Sequence, residues 1–215
     1  MRFAGVIFDL DGTLADTRED LADAMNRVLA AERLPVHDYA AFGAMIGAGV
    51  RSLVTEALPA ERRTDETIAR CTAAMMVDYG RHCLVKTRLY DGVAETVACL
   101  RAGEVRLAVL SNKPDELTRQ IVESLLRGAD FEEIVGARPD LPPKPDPAGA
   151  LRVGRRLGLA ARSIAFVGDT GIDMATATAA GMVAVGASWG FRPVGELLDG
   201  GAQTVLSHPL ELLDL

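Results

Sequence analysis

Two kinds of apolar pattern alternate along the chain. Short continuous runs of strand formers occur at 3–8, 107–110, 164–167 and 182–186. The first three end abruptly in polar residues: Asp9-Leu-Asp-Gly-Thr13, Ser111-Asn112 and Gly168-Asp169. Runs that are apolar throughout, rather than at every second position, suit strands buried on both faces, as in a parallel sheet. Stretches of helical length separate them at 114–127, 147–157 and 171–180, and in the first of these Leu117, Ile121, Val122 and Leu125 recur at helical spacing. Strands alternating with such helices predict an α/β fold built on a doubly wound parallel sheet.

The pattern changes between residues 15 and 88. Asp16 or Thr17 is placed to cap a helix whose apolar face is Leu21, Met25, Val28 and Leu29, with Pro35 beyond its end. Further helices are expected at 50–58, stopped by Pro59, and at about 65–83. No strand is expected in this stretch. The simplest account is an all-helical cap inserted after the first strand, with core residues 1–14 and 89–215 and cap residues 15–88.

Composition narrows the function. Hydrophobic residues make up 49% of the 215, enough for a sizeable core and too many for a disordered chain. No apolar run approaches the roughly 18 residues of a membrane span, and the N-terminus lacks a signal-peptide pattern, so a cytoplasmic protein with no membrane partner is expected. A net charge of -7 and the lack of a basic stripe argue against nucleic acid. Only three of the 23 basic residues are lysines, Lys86, Lys113 and Lys144, which marks each as a place where a compact ammonium is needed. The three cysteines, Cys71, Cys83 and Cys99, form no CxxC pair and read as small buried apolar side chains.

The candidate chemistry follows the strand ends, where open α/β sheets bind their ligands. Asp9, Ser111 and Asp169 are therefore expected to converge. Asp9, Asp11, Asp169 and Asp173 would crowd four carboxylates with little local base, which calls for a hard divalent cation with oxygen ligands. Mg²⁺ fits better than a soft metal because no His or Cys lies in these clusters. Asp-Gly is also a common turn, and that reading would suffice for Asp11-Gly12 alone. Ser111 and Asn112 offer donors at a helix start, fit for an anion or for a plain cap. Lys144, in the stiff Leu-Pro-Pro-Lys-Pro-Asp-Pro loop, could neutralise a bound phosphate.

Four motifs in register, Asp9-Leu-Asp-Gly-Thr13, Ser111-Asn112, Lys144-Pro145 and Gly168-Asp169-Thr-Gly-Ile-Asp173, make the chain resemble a haloacid dehalogenase superfamily phosphatase along essentially its whole length. The resemblance implies Asp9 as nucleophile, Asp11 as general acid and base, and Lys144 as the charge between nucleophile and phosphate. It also implies Ser111 and Asn112 on the phosphoryl oxygens, and Mg²⁺ held by Asp9, the Asp11 backbone carbonyl and Asp169, with Asp173 in support. Within the superfamily the chain most resembles phosphoglycolate phosphatases, through Asp11-Gly-Thr-Leu-Ala-Asp-Thr17, Ile46-Gly-Ala-Gly-Val-Arg-Ser-Leu-Val54, Ser111-Asn-Lys-Pro114 and Lys144-Pro-Asp-Pro147. A small phosphorylated metabolite is then the expected partner, taken by a monomer or homodimer. Arg51, beside a Gly-x-Gly loop, is the candidate for the substrate carboxylate, with a surface helix arginine as the other reading. Arg18 is a further candidate. Competing readings are a phosphatase or mutase for sugar phosphates, pyrophosphate or nucleotides, and a non-catalytic phospho-binding protein. His37, His82, His208 and Trp189 lie outside every cluster and are expected to serve in packing or as solvated loop residues.

Overall fold

The structure, a computed structural model, describes residues 3–215. A six-stranded sheet forms its centre. The strands are β1 (Gly5–Phe8), β4 (Arg106–Pro114), β5 (Glu133–Ala137), β6 (Ile164–Gly168), β7 (Val183–Ala187) and β8 (Thr204–Leu206), in the order β5-β4-β1-β6-β7-β8, all parallel. Side chains alternate across it. Val6 and Phe8 pack with helices α5 (Val93–Ala102) and α6 (Asp115–Leu125), while Ile7 packs with α7 (Ala148–Arg156), α8 (Gly171–Ala179) and α9 (Val194–Asp199). Helices therefore cover both faces, which is why the strands read as continuous apolar runs. The doubly wound parallel sheet is as expected.

The insertion departs from the expectation in two respects, a pair of short strands and a fourth helix at Tyr39–Met45. Ala15–Asp16 (β2) and Arg88–Leu89 (β3) pair antiparallel, so a two-stranded ribbon closes the base of the insertion where no strand was expected. Four helices lie beyond it: α1 (Arg18–Ala31), α2 (Tyr39–Met45), α3 (Val50–Ala57) and α4 (Asp65–His82). In α1 the predicted face Leu21, Met25, Val28 and Leu29 is buried. The Thr64 hydroxyl caps α4, whose first turn carries Asp65 and Glu66 and whose last carries Arg81 and His82, charges that complement the helix dipole.

Buried Asp20, in the first turn of α1, accepts the backbone N–H groups of Lys86 and Thr87 and the Thr87 hydroxyl at 2.8–3.0 Å. That carboxylate ties the entry of the insertion to its exit. Lys86 closes the same corner through its ammonium, 2.8 Å from Asp23. One cysteine expectation is corrected. Cys71 and Cys83 are buried, but Cys99 is exposed, because it sits on the solvent side of α5 whose inner face is Val93, Val97 and Leu100.

Candidate active site

Register brings the three strand tips together. Phe8 pairs with Val109 on one side and with Val167 on the other, so Asp9 leaves the central strand level with the ends of β4 and β6. Asp9, Asp169 and Asp173 present carboxylate oxygens within 4.8 Å of one another, all buried. Gly12, at φ 84, lets the chain after Asp9 turn directly against Asp169, and a Cβ there would collide with that carboxylate.

Lys144 reaches into this group from its loop, with its ammonium 2.9 Å from Asp9 Oδ1 and 2.6 Å from Asp173 Oδ1. Asp173 also accepts the Thr170 N–H and hydroxyl through Oδ2, in a capping box that starts α8. Both its oxygens are thus engaged within the protein. Asp169 accepts the Thr13 hydroxyl at 3.1 Å and the Phe191 N–H at 2.8 Å. Asp9 Oδ1 is different. It is buried and lies 2.9 Å from the Lys144 ammonium, off the ideal hydrogen-bond direction, and no other side chain or backbone group donates to it.

These placements shift the charges. Burial pushes the Asp9 carboxyl up to about 7; Lys144 opposes the rise, while Asp173 and Asp11 add to it. Burial, then Asp173 and Asp9, hold the Asp169 carboxyl well above the usual range. For Lys144 burial works against the charge, but Asp173 and Asp9 outweigh it and keep the ammonium protonated. One buried ammonium among three carboxylates leaves the cluster short of positive charge. An all-oxygen donor set of buried carboxylates sharing a single ammonium fits a hard divalent cation.

Asp11 lies beside a separate pair of donors. Its Oδ1 accepts the Thr17 hydroxyl at 2.6 Å and lies 3.1 Å from the Lys113 ammonium. Asp16 or Thr17 was expected to cap α1; Thr17 occupies the cap position, but its hydroxyl donates to Asp11. Ser111 is buried at the site and accepts the Lys113 N–H. The Asn112 side chain donates to the carbonyls of Gly47 and Lys144 and accepts the Lys144 N–H at 2.8 Å. Its amide is therefore committed to fixing the Lys144 loop and to the Gly47 carbonyl.

A cavity of about 500 Å³, counted to its open mouth, lies over Asp9 and Asp11. Ile46, Val50, Leu53, Met75 and Tyr79 of the insertion wall it, with Ser111 and Lys113 at its floor. Arg51 does not line it. Its guanidinium turns outward to Asp65 at 2.6 Å in solvent, because α3 buries Leu53, Val54 and Ala57 and leaves residue 51 on the opposite side. The expectation for Arg51 is corrected accordingly. Arg51→Ala is expected to leave kcat/KM within about twofold of the parent and stability within about 0.5 kcal/mol, read by steady-state kinetics and urea unfolding. Arg18 also misses the cavity, stacking 5.6 Å over Phe191.

Sequence reasoning passed over Lys113, Thr13, Tyr79 and Gly190 as site residues. Gly190 sits where any Cβ would strike Asp169 and the Gly12 carbonyl, and neighbouring Trp189 donates to the Thr13 carbonyl at 2.9 Å. The scarcity of lysine was the available signal for Lys113. Trp189 thus has a packing role on the core, and the three histidines stand outside the cavity lining.

A sequence model of haloacid dehalogenase-like hydrolases matches residues 6–187. The chain belongs to that family. Among curated relatives of this haloacid dehalogenase-like hydrolase, a phosphoglycolate phosphatase of Rhodospirillum rubrum is 36% identical over 200 residues, covering 89% of this chain and 83% of the relative. An N-acetylmuramic acid 6-phosphate phosphatase of Pseudomonas putida is 31% identical over 215 residues, covering 99% and 95%. A crystal structure from Lactobacillus delbrueckii subsp. bulgaricus, of a protein provisionally assigned as a phosphoglycolate phosphatase, superposes with a TM-score of 0.93 at 29% identity, covering 99% and 97% of the two chains. These relatives put the hydrolase among the phosphatases of its family. No helix among its described residues is long and apolar enough to cross a membrane.

Proposed function

We propose that the protein is a Mg²⁺-dependent phosphomonoesterase that works through an aspartyl-phosphate on Asp9 and takes 2-phosphoglycolate as its substrate. The observation that carries this reading is the buried cluster of Asp9, Asp169 and Asp173 held by the single Lys144 ammonium, with Asp9 reaching the cavity. The substrate assignment leans on the name of the Rhodospirillum relative. Residues 15–88 act as a cap over a core of residues 1–14 and 89–215, excluding water from the cavity they wall.

Asp9 attacks phosphorus as the ionised carboxylate, the form that the Lys144 ammonium favours against burial. The bond to the leaving oxygen breaks, and Asp11 supplies the proton that the alkoxide takes up. Water then attacks the phosphoryl group and passes its proton to Asp11, which restores the Asp9 carboxylate and releases inorganic phosphate. Lys144 holds positive charge between Asp9 and the phosphoryl oxygens, with Ser111 and the backbone N–H groups after it as donors. Asn112 and Asp173 hold Lys144 in place. Asp9, the Asp11 carbonyl and Asp169 would hold Mg²⁺, which when bound supplies the charge that lets dianion and carboxylate approach.

A panel of phosphate esters assayed with Mg²⁺ and with EDTA tests the reading. Preference for 2-phosphoglycolate and loss of turnover in EDTA are expected. A sugar phosphate as the best substrate would favour the activity named for the Pseudomonas relative instead.

The acid cluster also predicts a pH-dependent response to the metal. With its folded value near 7 against an ordinary 3.8, Asp9 is stabilising when protonated. That contribution is complete below about pH 4 and lost as pH rises through about 7, because the folded state binds the extra proton in that window. Mg²⁺ binds the ionised form, so the rise in Tm on adding Mg²⁺ is expected to be larger at pH 8 than at pH 5.5 in thermal melts. An equal rise at both would contradict it.

A further inference from the structure

The cavity contains a cation that the steps above leave unused. Lys113 is buried, with its side chain 3% exposed, yet its ammonium faces the cavity rather than solvent. Every other charged side chain in the lining is acidic, Asp9 and Asp11, and the insertion contributes mostly apolar walls. Lys144 is committed to Asp9 and Asp173, and Arg51 and Arg18 are turned away.

An ammonium carries three donors. The Lys113 ammonium meets the Tyr79 hydroxyl at 2.9 Å and Asp11 Oδ1 at 3.1 Å, which leaves one N–H free. The Tyr79 oxygen accepts from Lys113, and its own hydrogen has no acceptor among the described residues. Burial raises the Tyr79 hydroxyl above its ordinary range, so it stays protonated and able to donate. A free ammonium N–H and a free phenol O–H therefore sit side by side, one from the core and one from α4, within a chamber of low polarity. Two adjacent donors with a formal positive charge suit a carboxylate. With Asp11 as the acid for the leaving oxygen, their place beside it is where the organic part of the ester lies.

We propose that Lys113 and Tyr79 form the subsite for the substrate's carboxylate, so that these two residues select an acid phosphate over a neutral one. The inference deepens the phosphatase reading and rests on it. It assigns to Lys113 the task that the sequence had offered to Arg51.

The experiment compares 2-phosphoglycolate with ethyl phosphate, an ester of similar size that lacks the carboxylate, in the full-length enzyme with Mg²⁺. The readout is the ratio of kcat/KM values for the two esters. Lys113→Met, which keeps the aliphatic stem, is expected to lower that ratio by about 100-fold, mainly through a raised KM for 2-phosphoglycolate. Loss of a contact to Asp11 alone would depress both esters alike and leave the ratio intact, and that result overturns the proposal. Tyr79→Phe removes a single hydroxyl and is expected to lower the ratio by roughly fivefold to tenfold. If Lys113→Met does not fold, Tyr79→Phe decides, and an unchanged ratio there again overturns the subsite. A parent enzyme with a ratio near one would sink the phosphoglycolate reading and the subsite together. A high parent ratio that both variants retain would sink the subsite alone.

Discussion

Asp9→Asn is expected to reduce hydrolysis of p-nitrophenyl phosphate by on the order of 10⁶-fold, the scale of loss when a covalent nucleophile is removed. The carboxamide keeps the shape of the side chain but cannot attack phosphorus. Stability should move the other way. In the parent, burial and the neighbouring Asp173 and Asp11 disfavour the Asp9 charge, with only Lys144 opposing them. Replacing that charge by a neutral group relieves the repulsion, so the metal-free variant at pH 8 is expected to melt at or above the parent temperature. An inactive protein that melts normally assigns the loss to chemistry. Retained turnover in the variant would remove Asp9 from the nucleophile's role and with it the proposed intermediate.

How far the sequence could be read follows from where burial is complete. β1, β4 and β6 are central and covered on both faces, so each was visible as an unbroken apolar run, and the polar residues that end those runs marked the site. β5 and β8 lie at the sheet edges. With Glu133 and a half-buried Ile134 in β5 and three residues in β8, neither offers a run or an alternation long enough to detect. β2 and β3 are two residues each, formed because the insertion must close on itself, a tertiary cause with no periodic trace. Arg51 was readable in principle: once Leu53, Val54 and Ala57 define the inner face of α3, residue 51 falls outside it. Lys113 was readable as well. It is one of only three lysines in the chain and directly follows Ser111-Asn112 at a strand end. The Asn112–Lys144 clasp and the Lys113–Tyr79 contact join residues more than 30 positions apart, and nothing local announces them.

Lys144→Met is expected to cost more than its activity. Turnover should fall by roughly 10³-fold as the positive charge beside the transferring phosphoryl group is lost. The larger consequence is structural, because the ammonium separates Asp9 from Asp173 at 2.9 and 2.6 Å. Without it, Asp9, Asp169 and Asp173 remain buried within 4.8 Å of one another and without a cation, and breaking one partner out of a buried charge group costs about 3–5 kcal/mol. Urea unfolding of the metal-free variant at pH 8 should register that loss, and Mg²⁺ should recover part of it. The double variant Lys144→Met/Asp173→Asn separates the two roles. Removing the carboxylate that Lys144 had neutralised should restore most of the lost stability while turnover stays low, since stability follows the charge balance of the cluster and catalysis follows the ammonium itself. If the single variant were as stable as the parent without metal, the cluster would not be short of positive charge, and the electrostatic case for a divalent cation at the strand tips would fail.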